Sequence, residues 1–180
     1  MQVLIFLLIF FFVFPLCATQ QIKETFVFDG EIYGLEMGPG YKSPLEALYS
    51  FDEIRLMLDL KGACTANWRG YKGSWEVKSN QLLLNSLVKD ACSKNPPLVD
   101  SVLFFGVESY PVKANWFNGQ IKVRLSQNRY KFCNTNSHKE KMIGYEYDAM
   151  VYEFSAGEFI YKSKQVVGDV WEFAMSNCSY

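Results

Sequence analysis

The chain has 180 residues, with 18 Lys and Arg against 19 Asp and Glu and a net charge of −1. That balance lacks the basic excess of a nucleic-acid binder. Aromatic residues make up 17% of the sequence, a bias that favours strands.

The first element is a leader. From Val3 to Leu16 no residue is charged or polar, and the small residues Cys17, Ala18 and Thr19 follow. A run of this kind reads as a secretory signal peptide cut after Ala18 or Thr19, and it is shorter than a bilayer-spanning helix. Leu16 is a poor fit to the small residue expected before a lipidated Cys17. Residues 1–19 are therefore assigned to a signal peptide and 20–180 to a single β-rich domain, periplasmic or secreted, with no stable membrane span after cleavage. Export leaves Cys64, Cys92, Cys133 and Cys178, an even number in an oxidising compartment, which predicts two disulfides of undetermined pairing. Their wide spacing does not suit a metal site, so neither metal nor cofactor is expected.

"TFVFDGEIYGLEM" predicts two short strands about Asp29-Gly30, and Gly-Pro-Gly at 38–40 is a turn without the Lys-Ser/Thr of a phosphate loop. "SPLEALYSF" predicts a short helix, with Ser43 as N-cap, Pro44 in the first position and Glu46 at the capping-box position. In "DEIRLMLDLK" the alternation of Ile54, Leu56, Leu58 and Leu60 with polar neighbours predicts a strand. Three two-residue turns then predict hairpins. Ser79-Asn80 pairs Val77 with Leu82, Trp75 with Leu84, Gly73 with Ser86 and Tyr71 with Val88. Asn118-Gly119 pairs Phe117 with Gln120, Trp116 with Ile121, Ala114 with Val123 and Val112 with Leu125, leaving Asn115, Lys122, Lys113 and Arg124 on a polar face. Ala156-Gly157 pairs Phe154 with Phe159 and Tyr152 with Tyr161. "CSKNPPLVD" and "NTNSHKEK" read as loops, and the tail as a last strand or short helix closed by Cys178. The expected fold is mainly β with one short helix, an antiparallel meander of hairpins that can close into a barrel.

Chemistry-bearing residues are sparse. The single histidine, His138, sits in a polar loop without an available nucleophile, because Cys133 is expected in a disulfide. Glu31, Glu46, Asp59, Glu76, Glu146, Asp148 and Glu153 are scattered, and no spacing singles out a catalytic pair. No catalytic residue is assigned. Arg69, between Trp68 and Gly70, has two readings: a guanidinium that stacks on an aromatic face to bind a ligand, or a structural Arg that closes a sheet end. Trp68 and Trp116 divide likewise between core filler and binding platform. The candidate binding set is Trp68, Arg69, Tyr71, Glu76 and Trp116.

Two resemblances accompany these motifs. Gly73-x-Trp75 resembles the short Gly-x-Trp signature of lipocalins, which normally lies near the first strand of the mature chain and here falls well inside it. The blocks "DGEIYGLEM" with "SPLEALYSF", "TANWRGYKGSWEVKSNQLLL", "VKANWFNGQIKV" and "GYEYDAMVYEFSAGEFI" are similar to those of an uncharacterised family of small bacterial proteins. That family's pattern falls on Gly30, Glu31, Tyr33, Pro44, Leu45, Glu46, Trp68, Arg69, Gly70, Tyr71, Trp75, Glu76, Ala114, Trp116, Phe117 and Gly119. The leader, the four mature cysteines and the segment 126–144 depart from it. The resemblance implies a shared β-rich fold and no particular activity.

The functional expectation is an exported, non-enzymatic protein that recognises a protein partner in an inhibitor or immunity-type role. One alternative is a lipocalin-like carrier of a small apolar ligand, whose hallmark is an empty cup. The other is a carboxylate-dependent hydrolase of envelope polymers, with Glu31, Glu46 and Glu76 as its first candidates.

Overall fold

The computed structural model describes residues 21–37, 41–60, 64–135, 139–172 and 178. The leader, the Gly-Pro-Gly turn and His138 lie outside the described residues. Among those described, nine strands form one mixed sheet that does not close. They are β1 (Thr25–Phe28), β2 (Glu31–Gly34), β3 (Tyr71–Lys78), β4 (Gln81–Lys89), β5 (Val112–Lys113), β6 (Gly119–Arg124), β7 (Arg129–Asn134), β8 (Glu140–Ser155) and β9 (Glu158–Val170). The order is β2-β1-β3-β4-β9-β8-β6, with β5 on β4 and β7 on β8. Two α-helices, α1 (Phe51–Leu58) and α2 (Ser101–Phe105), and a 3-10 turn at Pro44–Ala47 complete it.

The β1–β2 hairpin forms about Asp29-Gly30, pairing Phe28 with Glu31. At Ser79-Asn80 the predicted pairs Val77–Leu82 and Trp75–Leu84 form, and both turn residues take positive φ. Beyond them Asn85 is an extra residue on β4, so Ser74 meets Ser86, Gly73 meets Leu87 and Tyr71 meets Lys89. The Ala156-Gly157 hairpin behaves alike. Phe154 pairs with Phe159, then Ile160 bulges and Tyr152 faces Lys162 instead of Tyr161.

Three expectations are corrected. The segment 51–58 is helix α1, not a strand. Ser50 Oγ accepts from Glu53 N (3.3 Å) while Glu53 Oε2 accepts from Ser50 N (2.7 Å), a capping box that satisfies the first turn. Ile54 and Leu58, one helical turn apart, are buried, whereas Leu56 is 81% exposed. Second, Asn118-Gly119 makes no hairpin. β5 pairs with β4, and β6 pairs with β8, placing Ile121 opposite Tyr152. Asn118 Oδ1 instead accepts from Ala156 N (2.8 Å) and holds the β8–β9 turn. Third, the meander is broken where β1 pairs parallel with β3, Phe26 beside Trp75.

The core is aromatic. Phe26 and Phe28 lie 4.9 and 4.8 Å from Tyr152, Phe28 lies 5.0 Å from Phe159, and Phe117 lies 5.7 Å from Phe154, measured between ring centroids. These rings fill the concave side with Trp75, Leu82, Leu84 and Leu87. Among the described residues, the two ends of the strand order meet at a seam. Leu35 bridges Val123, and Glu36 N donates to Lys122 O (2.8 Å). Disulfides join Cys64 to Cys92 and Cys133 to Cys178.

Candidate functional site

Arg69 is placed by the turn that enters β3. Buried Asn67 accepts from Gly70 N and donates to Tyr71 O, both at 2.9 Å, and Gly70 supplies the positive φ of 78° that the turn needs. Cys64, bridged to Asn67 and disulfide-bonded to Cys92, anchors the same turn. The guanidinium of Arg69 then lies 4.5 Å from the Trp68 ring centre, and its Nε donates to Glu46 Oε1 at 2.8 Å. The same oxygen accepts from Tyr71 Oη at 2.8 Å. Burial, the neighbouring carboxylates and that hydrogen bond all push the Tyr71 phenol upward, so it stays a donor.

Glu46 reaches this position from the 3-10 turn. There Ser43 caps Leu45 N as its sequence predicts, but Glu46 turns to Arg69. Beneath it lies a second carboxylate. Glu24, 2% exposed, accepts from Trp75 Nε1 (2.5 Å) and Ser43 Oγ (3.1 Å). Its Oε1 has no partner among the described residues. Burial is the largest influence on this group and raises its pKa above the ordinary 4.5, against the two donors. Gly73 makes the contact possible, since a Cβ there would stand 2.6 Å from Glu24 Oε2 and 2.7 Å from Trp75 Nε1. Its small size serves the close approach that its place in the strand suggests.

The predicted binding set therefore separates. Trp68, Arg69 and Tyr71 meet at one corner, with Trp68 53% exposed and its ring 5.2 Å from Phe51. Glu76 points to the other face of β3, where Asn85 donates to it at 2.7 Å. Trp116 stacks on Phe105 at 5.4 Å and donates to Pro44 O at 2.9 Å, lining a separate open groove with Tyr49 and Phe104. Of the three carboxylates first named for hydrolysis, Glu46 and Glu76 are held by donors and Glu31 stands exposed on β2.

Two cavities flank the seam and share Glu36 and Met37. One, of about 230 Å³, is lined by Glu24, Leu35, Trp68, Arg69 and Tyr71 among others. The other, of about 310 Å³, is lined by Tyr41, Lys122, Arg124, Tyr145 and Tyr147 together with Val167, Gly168 and Asp169. Glu36 binds Lys23 and accepts from Arg124 Nε at 3.2 Å, tying both cavities to one carboxylate. Lys122 was expected on a polar face and is instead buried at 2%, because β6 is covered on both sides. Its position in "GQIKVR" carries no mark of this. Glu24 likewise has no local signal, since its partners lie 19 and 51 residues away.

Among the described residues no group of three His, Cys, Asp or Glu side chains is arranged to hold a metal ion, and no helix is long and apolar enough to cross a membrane. Set against protein-family models, curated proteins and solved structures, the chain matches none. The family similarity of its sequence blocks thus rests on those blocks alone.

Proposed function

We propose that this is an exported, non-enzymatic binding protein that recognises a protein partner in the periplasm, in an inhibitor or immunity-type role, with Trp68 as its anchor. The observation that carries the reading is an indole both exposed and held. Phe51 packs beside it, Arg69 lies over it, and Glu46 fixes Arg69. An exposed Trp that loses little freedom on binding is the kind of side chain that dominates protein interfaces. Asp52 and Glu53, which follow Phe51 on α1, are exposed acidic groups, and Arg55 lies over the Phe51 ring. Arg69 acts here mainly in its structural sense, positioning the indole and not reading a ligand directly. The two disulfides support an oxidising compartment. The ring-filled interior gives a lipocalin-like cup no support, and the flanking cavities are lined by charged groups.

The test compares the wild type, Trp68→Ala and Leu103→Ala, the last on an exposed residue of α2. Each is purified gently from the periplasm, and its complex is measured. A stoichiometric partner should bind wild type and L103A alike and W68A at least about thirtyfold more weakly. Equal binding by W68A, or a wild type that always emerges alone, would overturn the reading.

A further inference from the structure

We infer that the 310 Å³ cavity at the seam binds an oxyanion carried on a small flat molecule, with Lys122 as the partner of the charge and tyrosines as walls for the ring. This cavity shares Glu36 and Met37 with the one lined by Trp68, but the inference does not rest on the Trp68 reading.

Lys122 is the unusual group. It lies between Ile121 and Val123, all three buried, and lines the cavity. Its ammonium sits 2.9 Å from the centre of the Tyr41 ring, and among the described residues no carboxylate comes within ion-pair distance of it. Burying an ammonium has a desolvation cost that a ring face only partly returns. The remaining deficit is what an anion in the cavity would offset.

The other charges around the cavity do not already supply that anion. Glu36 is taken by Lys23 and Arg124. Asp169 is exposed at the rim and accepts from Trp171 Nε1 at 3.3 Å. Arg124, two residues along the same face of β6, adds a second cation, held by Glu36 and Asn128 and lying 3.6 Å from the Tyr147 ring centre.

The walls decide what carries the anion. Tyr145 and Tyr147 lie within 20° of parallel with centroids 6.3 Å apart, and Tyr41 covers the ammonium end. The volume is at the lower limit of the roughly 300–1,000 Å³ of small-molecule sites. A bare inorganic anion would satisfy Lys122 and leave the rings unused. An apolar molecule would do the reverse, and a cation would be repelled. A ring bearing a phosphate or carboxylate uses both.

The probes are phenyl phosphate, benzoate and inorganic phosphate, each titrated calorimetrically into the folded protein. One of the two ring-bearing probes should bind at a single site and more tightly than inorganic phosphate, and which one does so identifies the oxyanion. Lys122→Met should weaken that binding at least about tenfold without lowering the melting temperature, because an unpaired buried charge is replaced by an apolar chain of similar length. Tyr145→Leu, at a half-buried position, should bring the ring-bearing probe down to the affinity of inorganic phosphate. It tests the site even if K122M fails to fold. The inference is overturned if neither ring-bearing probe saturates, if K122M binds as the wild type does, or if Y145L keeps the preference for the ring.

Discussion

Tyr152 and Tyr161 occupy neighbouring strands of one hairpin, yet the first is 2% exposed and the second 51%. Tyr152 belongs to the half of the sheet that curls around Phe26, Phe28 and Trp75. Tyr161, opposite Glu153, points to the other face of the same hairpin, and farther along, in a ribbon of β7, β8 and β9, Tyr130, Phe132, Val166 and Val170 are also exposed. Both halves are rich in aromatic and β-branched residues. What differs is whether another layer lies across them. The curled half is held by rings in contact, whereas the ribbon is held by its backbone ladder, a disulfide and ion pairs. Arg129 meets Glu146 and Asp148 at 3.3 and 3.1 Å, and Lys131 meets Glu146 at 2.8 Å. Strand propensity makes both halves of the sheet, but only the layer across a face makes a core.

The sharpest break in this comparison is truncation of one covered ring and one uncovered ring. Trp75→Ala should cost about 3–5 kcal/mol in denaturant unfolding, because it opens a cavity and strips Glu24 of a donor. Tyr161→Ala should stay within about 0.5 kcal/mol. Comparable losses would mean that the outer face of the β8–β9 hairpin is packed after all. Removal of the Cys133–Cys178 bridge, which closes a 45-residue separation, should cost about 2–4 kcal/mol. Hydrogen exchange should place that loss in β7 and the far parts of β8 and β9, and equal loss of protection in β3 and β4 would contradict the division.

The smallest effect is one of sign with pH. Glu24 has a raised pKa through burial, so its contribution to stability falls as pH rises from its unfolded value of about 4.5 through its folded one. Glu24→Gln should therefore gain on the wild type as pH increases. Asp148 and Glu146 are shifted the opposite way, chiefly by hydrogen bonds from Arg129 and Lys131 respectively. Their stabilisation is present above the unfolded pKa and lost as pH falls through the folded one, and salt weakens it. Asp148→Asn should thus trail the wild type at neutral pH and converge with it in acid. Parallel pH profiles for E24Q and D148N would remove this distinction.

The hairpins at Asp29-Gly30, Ser79-Asn80 and Ala156-Gly157 were legible because each turn type and its flanking strands are specified locally. The cysteines announced their number though not their pairing. At residues 51–58 the alternation of Ile54, Leu56 and Leu58 fits a strand, but Ile54 and Leu58 also fall one helical turn apart. The Ser50-x-x-Glu53 box that decides for a helix is equally visible in the sequence. Asn118-Gly119 misled because a good turn dipeptide says nothing of competing partners, and β4 and β8 claimed the two strands it would have joined. The corner of Trp68, Arg69 and Tyr71 was legible as one stretch of chain. Its completion by Glu24 and Glu46, like the burial of Lys122, depends on which distant strands come together.

The extra residues Asn85 on β4 and Ile160 on β9 also bear on how this chain can change in length. Losing one residue within a strand ordinarily turns every later side chain to the wrong face. Here the faces on either side of each extra residue are already phased as though it were absent. Leu84 and Leu87, two of the buried residues of β4, would remain inward after the loss of Asn85. This protein can therefore shorten by one residue inside a strand, at Asn85 in the middle of β4 or at Ile160 near the start of β9, without turning the later side chains over.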